Sequence, residues 1–401
     1  MSALDLTTFD AALKVHYTSD DIENLAYQDN PFLAMVPKYT KFGGKNLPIP
    51  IRYGTPQGRS ASFAKAKQNK KASNYTDFVL TRAKDYSLAS LDNETIDASQ
   101  HDADAFLEAV ESEVDGAIQS CGRSLATALF RDGSGSIGRT TETSGTTITL
   151  TDKDEVVNFE VGMEIYFTSD GTVSGLRDSG QAIGVIGVDR VAGVLTVDED
   201  LSGITGLTAN DYISVEGDAG AKVKGLSAWL VSGTVTSDPF FGVDRTVDRT
   251  RLAGVSYDGS SESIEEALQS AMSLTCREGG KPSHAFLNYS RWSDLEKSLG
   301  SKVNYVDHAQ GDIGFRGIRI ASPKGFVEVY ADQNCQSDKA YLLDMRFWKL
   351  YSLGEAPKLL TSDGNKMLRE TDADAVEVRS GYYAQLGCRA PGYNSVVTLA
   401  S

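Results

Sequence analysis

"KNLPIPIRYGTPQGRSASFAKAKQNKKASNYTDFVLTR", residues 45–82, opens as a strand, crosses a small polar interval dense in cations and leaves as a second strand. In KNLPIPIRYG (45–54), Leu47, Ile49 and Ile51 alternate with Pro48 and Pro50, a pattern that prolines confine to a sheet edge or an isolated ribbon. Its return partner is NYTDFVLTRAKDYSLASLDNETI (74–96), rich in Thr, Tyr, Val and Leu. Between them, RSASFAKAKQNKKAS (59–73) carries Arg59, Lys65, Lys67, Lys70 and Lys71 and no carboxylate. Together these pieces predict a long two-stranded ribbon with a basic tip. Two strands bury too little surface to be stable by themselves, so the ribbon is expected to lie on something else.

The chain around it has 401 residues, 40% apolar and 23% charged, enough for two or three domains with real cores. Its formal net charge of −16 is distributed in blocks. Residues 30–76 hold nine cations and no acid, whereas residues 132–221 hold sixteen carboxylates against Arg139, Lys153, Arg177 and Arg190. Such blocks complement one another on neighbouring copies. Nucleic acid is the usual alternative partner for a basic stretch. Here, however, Tyr53, Phe63 and Tyr75 are its few aromatics, no nucleic-acid motif is present, and the acidic remainder repels phosphate. No apolar run approaches the ~20 residues that span a bilayer. The start, MSALDLTTFDAALKVHYTSDD, lacks the basic beginning and apolar core of a signal peptide, so a cytosolic chain without membrane contact is expected.

Residues 1–44 mix short helical patterns with breaks at Asn30-Pro31, Pro37 and Gly43-Gly44, and predict an N-terminal arm. The clearest helix covers 102–130, inside a segment 97–131: Phe106, Val110, Val114, Ile118, Cys121, Leu125 and Leu129 recur every three or four residues. At ~1.5 Å per residue it spans roughly 40 Å, a structural spine. Residues 132–221 lack Pro, Cys, His and Trp and offer five short strands, TTITL (146–150), MEIYF (163–167), AIGVIGV (182–188), GVLTV (193–197) and DYISV (211–215). They predict a small barrel-like all-β domain inserted into a larger one. Residues 222–375 read as mixed α and β. There, Ser263 and Glu266 form a capping box for a helix in 260–282, SHAFLNY (283–289) is a strand, and Ser290 is expected to cap a second helix. Residues 376–401 return as strands, so the whole is an α+β chain, a sheet with helices packed on it.

The residues offer little chemistry. GSGSIG (133–138) matches GxGxxG, yet it follows a helix and leads into strand sequence, the reverse of a dinucleotide loop. Cys121, Cys276, Cys335 and Cys388 stand far apart and read as buried thiols. His16, His101, His284 and His308 are isolated, and the acidic groups Asp198-Glu199-Asp200 and Glu370, Asp372, Asp374 lack Ca²⁺-loop spacing and read as solvated turns. Trp229, Trp292 and Trp348 are expected as core or interface anchors. No catalytic, cofactor or metal site is expected.

The order of elements, arm, basic-tipped ribbon, long helix and mixed domain with returning strands, resembles the major capsid proteins of tailed bacteriophages, the Hong Kong 97-like fold. The phrases DNPFLAMVPKYTKFGGKNLPIPI (29–51), GFVEVYADQNCQSDKAYLLDM (325–345), and YSLGEAPKLL (351–360) with ADAVEVRSGYYAQLGCRAPG (373–392) carry the likeness over essentially the whole chain. The resemblance implies an N-arm (1–44), an extended loop leading into a peripheral domain (45–96, tip 59–71), a spine helix (97–131), an insertion domain (132–221), an axial domain with peripheral strands (222–375) and C-terminal return strands (376–401). It implies a structural protein that self-assembles as hexamers and pentamers of an icosahedral head. That shell encloses double-stranded DNA without sequence-specific binding and is assembled in the host bacterial cytoplasm. Portal and decoration proteins are implied partners. Some relatives fuse a scaffolding segment before the arm; this ribbon begins at residue 45, so a separate scaffolding protein is expected. Other relatives link an extended-loop lysine to a neighbour's asparagine; Lys65, Lys67, Lys70 and Lys71 are candidates by position, with no assigned partner. Arg59, Lys65, Lys67, Lys70 and Lys71 are expected as inter-subunit contacts. An encapsulin-like nanocompartment shell and a carbohydrate- or host-binding surface protein are the alternatives.

Overall fold

A computed structural model describes residues 30–92, 103–300, 305–310, 313–361, 367–369 and 374–400. Strands Asn46–Gly54 and Asn74–Thr81 pair antiparallel from Asn46↔Thr81 to Gly54↔Asn74, the expected ribbon. The return partner is shorter than the sequence suggested. After Arg82 the chain leaves the ribbon, and strand Ala83–Asp92 instead pairs with the long strand Ala375–Cys388, from Ala83↔Ala384 to Asp92↔Ala375. Ala83 and Ala89 are buried on one side of it while Lys84, Tyr86, Leu88 and Ser90 are exposed on the other, the alternation of a sheet with one covered face. The cover is the helix Ala103–Phe130, which buries Val114, Ala117, Ile118, Cys121, Leu125 and Leu129. The expected positions Phe106 and Val110 lie outside the residues whose side chains are described.

The described part of the expected arm packs on the chain's own body. Pro31–Met35 forms a short helix with Phe32, Leu33 and Ala34 buried, and Lys38–Tyr39 runs parallel to strand Trp348–Ser352. Phe32 stacks edge-on against Phe286 at 5.2 Å, and Phe42 is fully buried, so these apolar side chains anchor the segment to the chain's own core while Pro37, Tyr39 and Lys41 between them are exposed. Residues 1–29 are outside the description.

Strands at 255–258, 395–398, 339–343, 284–287, 325–331, 313–322 and 305–310 form, in that order, a seven-stranded mixed sheet. Ala285, Leu287, Val329, Leu342 and Val397 face helices Ile264–Arg277 and Tyr289–Leu299, while Phe286, Tyr330, Tyr341 and Val396 face the core shared with the long helix. A sheet buried on both faces explains the nearly continuous apolar strand sequences. The capping box of Ser263 and Glu266 is present. The cap of the next helix is Asn288, not Ser290: the Asn288 carboxamide oxygen accepts from the Ser290 amide, placing Ser290 inside the first turn. The expected boundary at 376 falls inside strand Ala375–Cys388, and the two C-terminal strands enter different sheets.

Residues 136–215 form a separate six-stranded sheet in the order Ser136–Arg139, Tyr212–Val215, Glu164–Thr168, Ile183–Asp189, Val194–Val197 and Thr147–Thr149. A Thr140↔Leu150 bridge joins its first and last strands and closes it into a barrel. All five expected strands are there. The sixth, Ser136–Arg139, takes in the second half of the GxGxxG segment, and Gly135, at φ +82°, enters it so closely that a Cβ would lie 2.3 Å from the Asp218 carbonyl oxygen. The barrel has its own core of Ile148, Phe159, Ile165, Phe167, Leu195 and Ile213.

Candidate functional site: the ribbon tip

The ribbon has two unlike faces. Ile49, Ile51, Phe78 and Leu80 are buried, whereas Pro48, Pro50, Arg52, Tyr75 and Asp77 are exposed. The buried face lies on this chain's own core: the Phe78 ring meets Trp229 edge-on at 5.0 Å, and the Val79 amide donates to the Phe241 carbonyl at 2.9 Å. So the ribbon does lie on something else, as two strands alone require, and at its root that support is this chain's own core. Pro48 stands opposite Val79, whose amide points outward to Phe241, and Pro50 opposite Asp77 has the same parity; neither proline removes a ladder bond.

Beyond Gly54 the tip is a shaped cap. Gln57 and Lys71 exchange backbone hydrogen bonds of 3.1 and 2.8 Å, closing residues 58–70 into one loop. Within it Phe63–Gln68 forms a short helix, which the sequence reading did not anticipate. Gly58, at φ +143°, lets the loop fold over itself: a Cβ there would meet the Ala66 carbonyl oxygen and Lys70 Cα at 3.1 Å each.

Arg59, Lys65, Lys67, Lys70 and Lys71 are all exposed on this cap, which brings the five together. Among the described residues none of them has a carboxylate partner; the Lys65 ammonium donates to Gln68 Oε1 at 3.4 Å. Phe63 stands among them 84% exposed, with Tyr75 65% exposed below. A lone Phe inside a cationic run was the available signal for this residue, absent from the expected contact set. The arrangement is a preformed cationic surface around one apolar ring.

At the far end of the barrel the topology gathers acids. The loops at 140–146, 169–182 and 198–211 share that end, tied by Gly145 N to Asp200 and Gln181 Nε2 to Glu199 at 3.0 and 2.8 Å. They carry Glu142, Asp170, Asp178, Asp198, Glu199 and Asp200. Arg177 there is engaged by Asp211 through two bonds, 2.7 and 2.9 Å. Asp198 and Asp200 accept backbone amides of Gly184 and Ser202, as turn residues do.

The remaining candidate groups that are described are buried or hydrogen bonded within the chain. Cys121, Cys276, Cys335 and Cys388 are buried and free, and burial pushes the Cys121 thiol up to about 12, leaving it unreactive. His284 Nδ1 is 2.8 Å from Ser283 Oγ, with its ring stacked 5.8 Å from Tyr330. His16, His101, Glu370 and Asp372, and the side chain of His308, lie outside the description. Trp229 and Trp348 are fully buried with their indole N–H groups donating to Leu386 O and Asn394 Oδ1; Trp292 packs half-buried. Among the described residues no group of three potential metal ligands gathers, and no helix is long and apolar enough to cross a membrane.

No protein-family model and no curated protein sequence matches the chain. Among solved structures, a chain of the cyanophage A-1(L) capsid asymmetric unit superposes with a TM-score of 0.52 at 11% identity, over 96% of this chain and 95% of that one. The capsid of a native GTA particle gives 0.45 at 8% identity, covering 92% and 90%. The SrpI encapsulin of Synechococcus elongatus PCC 7942 gives 0.44 at 8% identity, covering 97% and 94%. Of these three, the cyanophage superposition is the one that establishes a shared fold. The chain has the fold of a phage capsid protein.

Proposed function

We propose that this protein is the repeating structural unit of a Hong Kong 97-like phage head, with the barrel at 136–215 as an inserted domain. The whole-chain superposition on a cyanophage capsid chain is the observation that carries the reading. The tip supports it. A cap with five exposed cations and an 84% exposed Phe is unfavourable on an isolated monomer and favourable where copies meet. Each exposed ion pair contributes only ~0–1 kcal/mol, whereas burying the Phe63 ring contributes about 1.5–3 kcal/mol. In this reading Phe63 anchors the tip on an adjacent copy while Arg59, Lys65, Lys67, Lys70 and Lys71 set register and encounter rate against its carboxylates. Heterologous contacts of this kind close a shell of hexamers and pentamers when their angles close, and many repetitions make weak contacts sufficient. A chain of net charge −16 encloses DNA without gripping it. A separate scaffolding protein guides assembly in the host cytoplasm, and portal and decoration proteins complete the particle.

Electron microscopy of the protein expressed with and without its scaffolding protein tests this. Closed particles that hold nucleic acid are expected. The Lys65→Glu, Lys67→Glu, Lys70→Glu, Lys71→Glu variant is expected to fold with an unchanged melting temperature and to form no regular particles. Normal particles from that variant would refute the role of the tip. Particles that enclose protein cargo instead would favour a nanocompartment, and a monomer that binds glycans would remove the shell reading altogether.

A further inference from the structure

Two chain passages join the barrel to the body, and at the second of them three charges share a buried site. The Lys222 ammonium lies 2.5 Å from Asp85 Oδ2 on strand Ala83–Asp92 and 3.0 Å from Asp218 Oδ2 at the barrel's base. Asp218 belongs to the barrel side: the next amide, Ala219 N, donates to the Tyr166 hydroxyl at 2.7 Å, and Gly220 N donates to the Ser134 carbonyl at 2.8 Å. Asp85 belongs to the body, where it also accepts from Ser124 Oγ of the long helix and from the Tyr382 hydroxyl. All three charged side chains are largely removed from solvent, with exposures of 9% for Lys222, 15% for Asp85 and 19% for Asp218.

The charges do not balance. Two carboxylates face one ammonium, and among the described residues the other groups packed around them bring no second cation. Cys121 on the helix, with its thiol pushed up to about 12 chiefly by burial, and Tyr382, held well above the usual phenol range by burial, are neutral. Tyr166 is likewise raised by burial and stays neutral. The cavity of about 550 Å³ between barrel and helix is also lined by Arg123 and Arg131, but these are occupied by the barrel's Glu160 and Glu155 at 2.8 and 2.6 Å, and by Glu216, a further acid. Docking therefore confines one negative charge without a counter-ion.

We propose that this neck is a proton-operated latch: a proton taken up by Asp218, beside Asp85 and Lys222, tightens the seating of the barrel on the long helix, and its loss loosens it. The direction follows from linkage. Burial, then repulsion by Asp85, pushes the Asp218 carboxyl up from 3.8 to about 6 despite Lys222. A group with a raised acid pKa binds its proton more tightly in the docked state than in the undocked one. Docking is therefore strengthened as pH falls through about 6 and is weakest above it. Burial pulls the Lys222 ammonium down, but Asp85 and Asp218 together raise it above its ordinary value, so it stays charged throughout. The latch holds whether or not the protein builds a shell, since it rests only on the neck.

Hydrogen exchange of the full-length protein at pH 5 and pH 8, corrected for intrinsic rates, reads the latch. Amides at 133–136 and 216–224 and on the barrel-facing side of the long helix are expected to be about tenfold better protected at pH 5, from the shift of Asp218 to about 6. Amides of the seven-stranded sheet are expected not to change in that way. Asp218→Asn should give the acid level of protection at both pH values. Asp85→Asn, which removes the other carboxylate, should flatten the dependence too, and carries the test if the first variant does not fold. Protection that is equal at both pH values, that falls in acid, or that keeps its pH dependence in these variants overturns the proposal.

Discussion

At the residue scale, two glycines with opposite surroundings show how much of the packing depends on single positions. Gly225 opens the short helix Leu226–Trp229, and its amide donates to the Arg131 carbonyl at 2.9 Å. A Cβ there would stand 2.2 Å from the Leu129 carbonyl oxygen and 2.4 Å from that of Ala128, backbone atoms at the end of the long helix that have no room to retreat. Gly225→Ala is expected to cost about 1–3 kcal/mol or more, seen as a lowered melting temperature. Gly116 lies inside that same helix, exposed, and a Cβ added to it would meet nothing within 4 Å. Gly116→Ala is expected to add roughly 0.5–1 kcal/mol because alanine loses less backbone entropy on entering a helix. Thermal unfolding of the two variants should move in opposite directions. Both glycines are visible in the sequence, but the sequence does not distinguish them: the Leu129 carbonyl meets Gly225 only because the chain returns from the barrel to the helix end.

At the element scale the ribbon separates what pattern dictates from what contact dictates. Alternation of Leu47, Ile49 and Ile51, the two prolines and the cationic interval were enough to place both strands and the tip. They did not disclose the surface beneath, because Trp229 and Phe240, which pack on Phe78, lie about 150 residues later in the chain. Nor did they show that the return strand ends at Thr81, since Ala83–Asp92 is equally strand-like and its partner is the distant strand Ala375–Cys388. The consequence is testable. Phe78→Ala should remove about 3–5 kcal/mol of packing and raise hydrogen exchange along 46–54 and 74–81, while the backbone bonds between Gln57 and Lys71 persist. Unchanged exchange in the ribbon would mean that its root is held elsewhere. The helices tell the same story in reverse: the capping box at Ser263 was legible because all its parts are local, and the one-residue choice between Asn288 and Ser290 was not, because either side chain satisfies the local rule.

At the scale of the whole molecule, the barrel and the body have separate apolar cores joined by a polar neck. Ser134 and Gly220 are hydrogen bonded at 2.8 Å, so the barrel leaves and re-enters the body at one point. Replacing residues 135–219 with a short Gly-Ser linker is therefore expected to leave the remainder folded, with the far-ultraviolet helical signal of the long helix retained. A chain that loses that helix would show the barrel to be part of the body's folding unit. Composition sets this segment apart: residues 132–221 contain no Pro, Cys, His or Trp and hold sixteen carboxylates against four cations. By itself the sequence determined the order of elements, the charge blocks and the periodicity of each strand and helix, because these follow from local sterics and from the separation of polar from apolar side chains. Only the tertiary structure decided that Phe32, Leu33, Ala34, Val36 and Phe42 are buried in the core, that the ribbon rests on its own chain, and that Asp85 and Asp218 share one lysine. Each of these joins residues far apart in sequence, where burial and charge pairing are set by which surfaces meet.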